Sequence, residues 1–282
     1  MNTNNHIITS ESVAGFESWL ISEERSEGTI RKYVHDVQSF ALWHGTEPLT
    51  KDAVALWKEH LIEESYSPTT INSMLAAINT YCRFAGLEFK VKFLRIQRKI
   101  FCDEDKELTK NDYEKLINTA EKYGKSRIAM IIETIGATGI RVSELQYITV
   151  EAARAGRTQI SLKGKIRTIL LPGKLCRKLL KFAKKLKIAS GEIFVTRSGK
   201  GITRKQVWAE MKALCRKAGV AASKVFPHNL RHLFARVFYR ATKDVAKLAD
   251  ILGHSSIETT RIYLLSTGDE HARLLERMQL VL

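Results

Sequence analysis

Cysteine is scarce in this chain of 282 residues. Cys82, Cys102, Cys176 and Cys215 stand far apart and form no C-x-x-C pair. That spacing argues against a disulfide framework and against a zinc site. The four read as small apolar residues of a reducing compartment. Long apolar runs are missing too. No stretch approaches the ~18 apolar residues that a membrane span needs, and Met1 to Ile8 hold no apolar signal core. The expectation is a cytoplasmic protein with no membrane partner, no metal and no cofactor. Proline occurs only as Pro48, at a break, Pro68 and Pro227, where helices can begin, and Pro172, at a strand end. There is no internal repeat and no low-complexity tract. The telling shortage is of acid: 30 Asp+Glu stand against 46 Lys+Arg, giving a net charge of +16 and a pI near 9.7. Such an excess points to a polyanionic partner, of which nucleic acid is the commonest.

The excess is local. Residues 1–105 carry 11 Lys+Arg and 15 Asp+Glu, a net of −4; residues 106–282 carry 35 and 15, a net of +20. The first part is patterned for helices. Ser10 or Ser12 can cap one carrying Phe16, Trp19 and Leu20. A second starts near Thr29 with Ile30, Tyr33, Val34, Val37 and Phe40 at helical spacing. Gly45 and Pro48 interrupt it. Thr50 then caps a helix with Val54, Trp57 and Leu61, and Ser67-Pro68 opens a fourth that Gly86 ends. Residues 1–88 are thus expected as a small helical bundle. Residues 89–107 interleave Lys90, Lys92 and Arg95 with apolar side chains, as a linker touching DNA or as a surface strand or helix extension.

Residues 108–282 form the expected second domain. Thr109 starts a helix, and Ile128 to Ile135 form a buried one. Thr138-Gly139 turns the chain, and Arg141 sits where the next helix begins. Residues 158–162 and 168–171 read as a β-hairpin around Lys163-Gly164-Lys165. A short strand is expected at Ile193-Phe194-Val195, with helices elsewhere, including one over 270–282.

His228 and Arg231, three apart after Pro227, share one helix face if Pro227 begins a helix. A helix start offers free N–H groups to an anion. Arg141 and Arg231, from separate segments, can clamp the oxygens of one phosphate and stabilise its transition-state charge. Tyr263 follows His254 by nine residues. Two arginines favour its phenolate, and a histidine can take its proton. Lys163, at the tip of the hairpin, can reach a leaving oxygen.

These segments together resemble the tyrosine recombinase, or phage integrase, family. The resemblance lies in Thr138-Gly139-Ile140-Arg141-Val142-Ser143-Glu144-Leu145, Lys163-Gly164-Lys165, His228-Asn229-Leu230-Arg231-His232, Leu252-Gly253-His254-Ser255 and Thr259-Thr260-Arg261-Ile262-Tyr263. It implies a mainly α fold with a small antiparallel β-hairpin, in two domains that clamp DNA. It implies Tyr263 as nucleophile forming a 3′-phosphotyrosyl link, Arg141 and Arg231 on the scissile phosphate, His228 in acid–base chemistry and His254 as phosphate stabiliser. Lys163 would be the general acid, with Lys165 the other candidate, and Glu144 would brace the site. Lys165, Lys90, Lys92 and Arg95 would touch DNA. The family pattern further implies a homotetramer on double-stranded recombination sites, with the last helix docking on a neighbouring subunit, in a Xer-like or transposon-type enzyme. Leu233 departs from the small residue often found there. A type IB topoisomerase-like nicking-closing enzyme and a non-catalytic DNA-binding regulator are the alternatives.

Overall fold

Side-chain caps decide where most of the helices start. In the computed structural model, which describes residues 6–96, 104–162, 165–196, 198–254, 256–264 and 276–278, the first four are α1 (Ser10–Ser22), α2 (Glu27–His44), α3 (Lys51–Glu63) and α4 (Pro68–Phe84). Helix α1 is capped by Thr9, one residue before the expected serines. Thr9 Oγ1 accepts from the Ser12 N–H at 3.1 Å, while Ser12 Oγ accepts from the Thr9 N–H at 2.9 Å. This reciprocal box satisfies two otherwise orphaned donors. Helix α2 begins after Ser26, two residues before Thr29, whose hydroxyl pairs with that of Ser26 at 2.8 Å. Thr50 and Ser67 cap α3 and α4 as the sequence suggests. Phe16, Leu20, Phe40, Trp57, Leu75 and Tyr81 fill the core of this unit, Met1–Arg98.

Residues 89–96 are seated on α4 in this unit. Asn72 and Asn79 lie seven apart, on one face of α4. Asn79 takes both backbone groups of Val91 (2.9 and 3.0 Å), and Asn72 takes both of Leu94 (2.7 and 2.9 Å). The two amides act as a neighbouring strand would. They hold the segment extended, so Val91 is buried while Lys90, Lys92 and Arg95 face solvent.

The second unit, Lys99–Leu282, contains α5 (Lys110–Lys122), α6 (Ser126–Thr138), a 3-10 helix (Val142–Tyr147), α7 (Val150–Ala155), β1 (Arg157–Leu162), β2 (Lys165–Leu170), α8 (Gly173–Lys185), α9 (Arg204–Ala218), α10 (Pro227–Thr242), α11 (Val245–Leu252), α12 (Ile257–Arg261) and a closing 3-10 turn (Ile262–Leu264). Helix α6 is the centre. Ile128, Ile131, Ile132 and Ile135 are all fully buried, and the helix packs on α5, α8, α9 and α10. Removing one such side chain to alanine costs about 2–5 kcal/mol.

Three sequence expectations change in detail. Arg141 leads into a 3-10 helix rather than an α-helix. Strand β2 starts at Lys165, earlier than the expected 168, and the register pairs Leu162 with Lys165. In place of a strand around Ile193–Val195, isolated bridges join Thr149 with Glu192 and Val195 with Gly201. Lys163 and nearly all of 270–282 lie outside the described residues.

Candidate active site

Gly139 and Pro227 set the first two elements of the site. Gly139 ends α6 at φ +66°, a left-handed conformation that glycine adopts freely, and a Cβ there would stand 2.4 Å from the Phe234 ring. Pro227 opens α10 at its first turn. The close approach of α6 and α10 places Arg231 beneath the Gly139 turn. Arg231 is 1% exposed. Its Nη1 donates to the Gly139 carbonyl at 2.5 Å, and its Nη2 donates to the Leu252 carbonyl at 2.7 Å and to His254 Nε2 at 2.9 Å. Its Nε is buried with no partner. The same holds for Arg167 Nε and Arg236 Nε.

That contact also fixes the His254 tautomer. Nε2 accepts from arginine, so Nδ1 carries the proton and donates to Thr260 Oγ1 at 2.8 Å. Thr260 is fully buried on α12.

Arg141 comes from the start of the 3-10 helix. Glu144 reaches back to its backbone N–H at 2.7 Å and to its Nη1 at 3.0 Å. Glu144 is 1% exposed and also pairs with Arg167 Nη2 from β2. Arg167 Nη1 in turn donates to the Ile251 carbonyl at 3.1 Å. One carboxylate therefore ties the Arg141 turn, the hairpin and the end of α11 together. Gly253, at φ +65°, completes the junction: a Cβ there would lie 2.5 Å from Arg167 Cδ.

Tyr263 is buried in the same unit, on the 3-10 turn after α12. Its ring stacks on His254 at 5.4 Å and 18°, and lies 4.3 Å from the His232 centroid and 5.6 Å from that of His228. Its hydroxyl is 3.4 Å from His228 Nε2. Ala235, Leu248 and Leu252 pack with it. The phenol thus sits in a cage of three imidazoles.

The electrostatics follow from crowding one carboxylate with many cations. Burial, then Arg141 and more weakly Arg167, lower the Arg231 pKa to about 10 against the opposing effect of Tyr263. Burial and then Arg231 push His254 down to about 4. His232 falls to about 4 through burial, then His228, then Arg231. His228 is lowered by burial, then by Arg231, Arg141 and Arg204. All three histidines are neutral near pH 7 and can accept protons. Arg141, His228 and Arg231 line an open cleft of about 690 Å³, together with Arg204, Lys205 and Trp208.

Of the residues selected from the sequence, Arg141, Glu144, His228, Arg231, His254 and Tyr263 converge here. Lys165 opens β2, and Lys90, Lys92 and Arg95 lie in the first unit. Arg167 and the cage role of His232 were not anticipated. His232 had a signal, standing four after His228 on the same helix face. Arg167 had only its place on a strand leaving the hairpin turn. Among the described residues no cluster of His, Cys, Asp and Glu could hold a metal ion, and no helix is long and apolar enough to cross a membrane.

The model of the phage integrase family matches residues 106–269, and that of the phage integrase N-terminal SAM-like domain matches residues 13–88. Tyrosine recombinase XerA of Pyrococcus furiosus is 32% identical over 281 residues, covering 97% of this chain and 96% of that protein. A crystal structure of XerA recombinase has a TM-score of 0.53 at 22% identity, covering 98% of this chain and 100% of that one. A lambda integrase tetramer bound to a Holliday junction has a TM-score of 0.72 at 17% identity, covering 93% of this chain and 78% of that one.

Proposed function

The chain belongs to the phage integrase family and is a tyrosine recombinase, and from that premise we propose how its site cuts and rejoins DNA. The scissile phosphate enters the cleft between Arg141 and Arg231. Its oxygens take the free donors of Arg141 and the unpartnered Nε–H of Arg231. The incoming negative charge reverses the pressure on the histidines, whose pKa values rise as their cationic neighbours are neutralised. His228 Nε2, beside the phenol, takes the proton of Tyr263. The Tyr263 oxygen attacks phosphorus, forming the 3′-phosphotyrosyl bond as the bond to the 5′ oxygen breaks. Lys163, from the hairpin turn, protonates that oxygen, with Lys165 the alternative donor. Arg141, Arg231 and His254 hold the extra charge of the transition state. Attack by the 5′ hydroxyl of a partner strand on the phosphotyrosyl bond reverses the step and completes strand exchange.

Arg141 and Glu144 act as a pair. The carboxylate holds the guanidinium in place through both its backbone and its side chain, and Arg167 keeps the hairpin lysine in register with them. The two units close on one duplex as a clamp, with Lys90, Lys92, Arg95 and Lys165 on its backbone. Four copies assemble on two sites, and residues 270–282 dock on the neighbouring subunit.

The observation that carries this reading is the packing of Tyr263 against three neutral histidines, with Arg231 bonded to one of them, inside a single subunit. It is tested with a pool of nicked duplexes of randomised sequence. The wild-type protein accumulates a denaturant-stable DNA adduct, because the short strand released at the nick cannot return to attack. Sequencing the trapped DNA then gives the target site. Binding of the pool without any adduct would favour a non-catalytic regulator.

A further inference from the structure

Helix α8 carries a charge pattern that the catalytic site does not use. Its buried face is Leu175, Cys176, Leu179, Phe182 and Ala183. The opposite face holds Lys174, Arg177, Lys181, Lys184 and Lys185, all exposed, and the helix contains no acidic residue. Lys178 is committed to Glu133 at 2.7 Å. Among the described residues no carboxylate forms an ion pair with the exposed five. Arg154 and Arg157, exposed on α7 and β1, extend the same basic region at the start of the helix. Helix α8 packs on α6 and α7, while the catalytic side chains stand at the start of the 3-10 helix (Arg141), on α10 (His228 and Arg231), after α11 (His254) and on the 3-10 turn after α12 (Tyr263).

Cations spaced three and four apart on a helix repel one another, and Lys174 near the N-terminus also opposes the helix dipole. Some cations of this unit are paired internally, as in Arg127 with Glu210 and Arg236 with Glu107. On α8 five cations share one exposed face with no carboxylate paired to them among the described residues, a dense positive surface complementary to a polyanion. We propose that the α8 ridge is a second, sequence-independent binding surface for the phosphate backbone of duplex DNA, separate from the cleft that holds the scissile phosphate.

The dimensions fit. From Lys174 to Lys185 the helix rises about 16 Å at 1.5 Å per residue, matching about five phosphates of one strand at 3.4 Å each along the duplex axis. The residue type fits too. Four of the five are lysines, point charges on flexible stems that contact phosphates without reading bases. An anionic membrane is the poorer occupant, because a surface helix inserts its apolar face and that of α8 is already in the protein core. The proposal rests on the reading of the chain as a DNA recombinase and adds a surface for DNA beyond the recombination site.

The test is a variant with Lys174→Gln, Arg177→Gln, Lys181→Gln and Lys184→Gln, all exposed, whose fold is checked by thermal melting. Binding to a short random-sequence duplex and to one several times longer is measured over a range of salt. On the long duplex the slope of log K against log salt becomes shallower by up to about 3.6, at ~0.9 per lost cation. A variant with Lys174, Lys181 and Lys184 each changed to Arg keeps the wild-type slope. An unchanged slope in the glutamine variant would overturn the proposal. So would phosphatidylserine vesicle binding as tight as DNA binding and lost in the same variant. Adduct formation on the nicked pool is followed in parallel. If it persists while the slope is unchanged, the ridge fails alone; if the wild type forms no adduct, the recombinase mechanism fails instead.

Discussion

At the scale of single residues, the site rests on an arginine with almost no freedom. Arg231 spends its Nη donors on two backbone carbonyls and an imidazole, and its Nε is buried without a partner. Lysine has no fork with which to reach Gly139 and Leu252 together. Each buried acceptor left unpaired costs about 1–3 kcal/mol. Arg231→Lys should lower unfolding stability in urea by about 2 kcal/mol. It should also slow single-turnover adduct formation by on the order of 10²–10³, as loss of a transition-state donor does. A second residue-scale consequence concerns pH. The imidazoles of His232 and His254 have pKa values of about 4 in the folded protein against 6.5 for the free side chain. Between those values the unfolded chain binds protons that the folded one refuses. Their contribution to stability is therefore complete above pH 6.5 and is lost as pH falls toward 4. Thermal melts across that window should show a falling Tm, and a His232→Phe, His254→Gln variant should flatten the dependence.

At the scale of elements, the junction of the hairpin, the Arg141 turn and α11 is held by Glu144, Arg167 and Gly253. Gly253→Ala forces a left-handed alanine and drives a Cβ into Arg167, whereas Gly156→Ala meets a similar φ of +68° with open space around it. The handedness penalty alone is about 1–2 kcal/mol. The first variant should lose more stability than the second and should slow adduct formation, which the second leaves alone. This comparison by urea unfolding and single-turnover cleavage separates backbone strain from displacement of Arg167. The same elements show what the sequence could reveal. Helix starts at Thr50, Ser67, Thr109 and Pro227 were legible because capping hydroxyls and N-terminal prolines act locally. The starting positions Thr9 and Ser26 were missed by one and three residues, because several nearby hydroxyls could each mark the helix start. The 3-10 form after Arg141 was not legible, because a capped helix start reads the same in sequence whether α or 3-10 follows. Arg167 itself stayed hidden because its partners lie 23 and 84 positions away, and nothing local marks it.

At the scale of the whole molecule, charge and chemistry are divided along the chain. The unit with a net of +20 over residues 106–282 carries every residue of the caged tyrosine site, and the unit before it is acidic overall, at −4 over residues 1–105. In the proposed complex the basic unit would hold the phosphate, and the acidic one would offer DNA the exposed Lys90, Lys92 and Arg95, which Asn72 and Asn79 array along an extended segment. The motif order from Arg141 to Tyr263 was readable because each short motif is contiguous. Their convergence was not, since it depends on α6 and α10 packing at Gly139. The central claim is that Tyr263, held by the histidine cage of its own subunit, becomes joined to the 3′ end of the cleaved strand. Mass spectrometry of the protease-digested adduct from a nicked duplex tests it most directly. The account expects the nucleotide on the peptide containing Tyr263, a free 5′ hydroxyl on the released strand, and no adduct from Tyr263→Phe. An adduct on another residue, a 5′-phosphate linkage, or an adduct that survives Tyr263→Phe would contradict it.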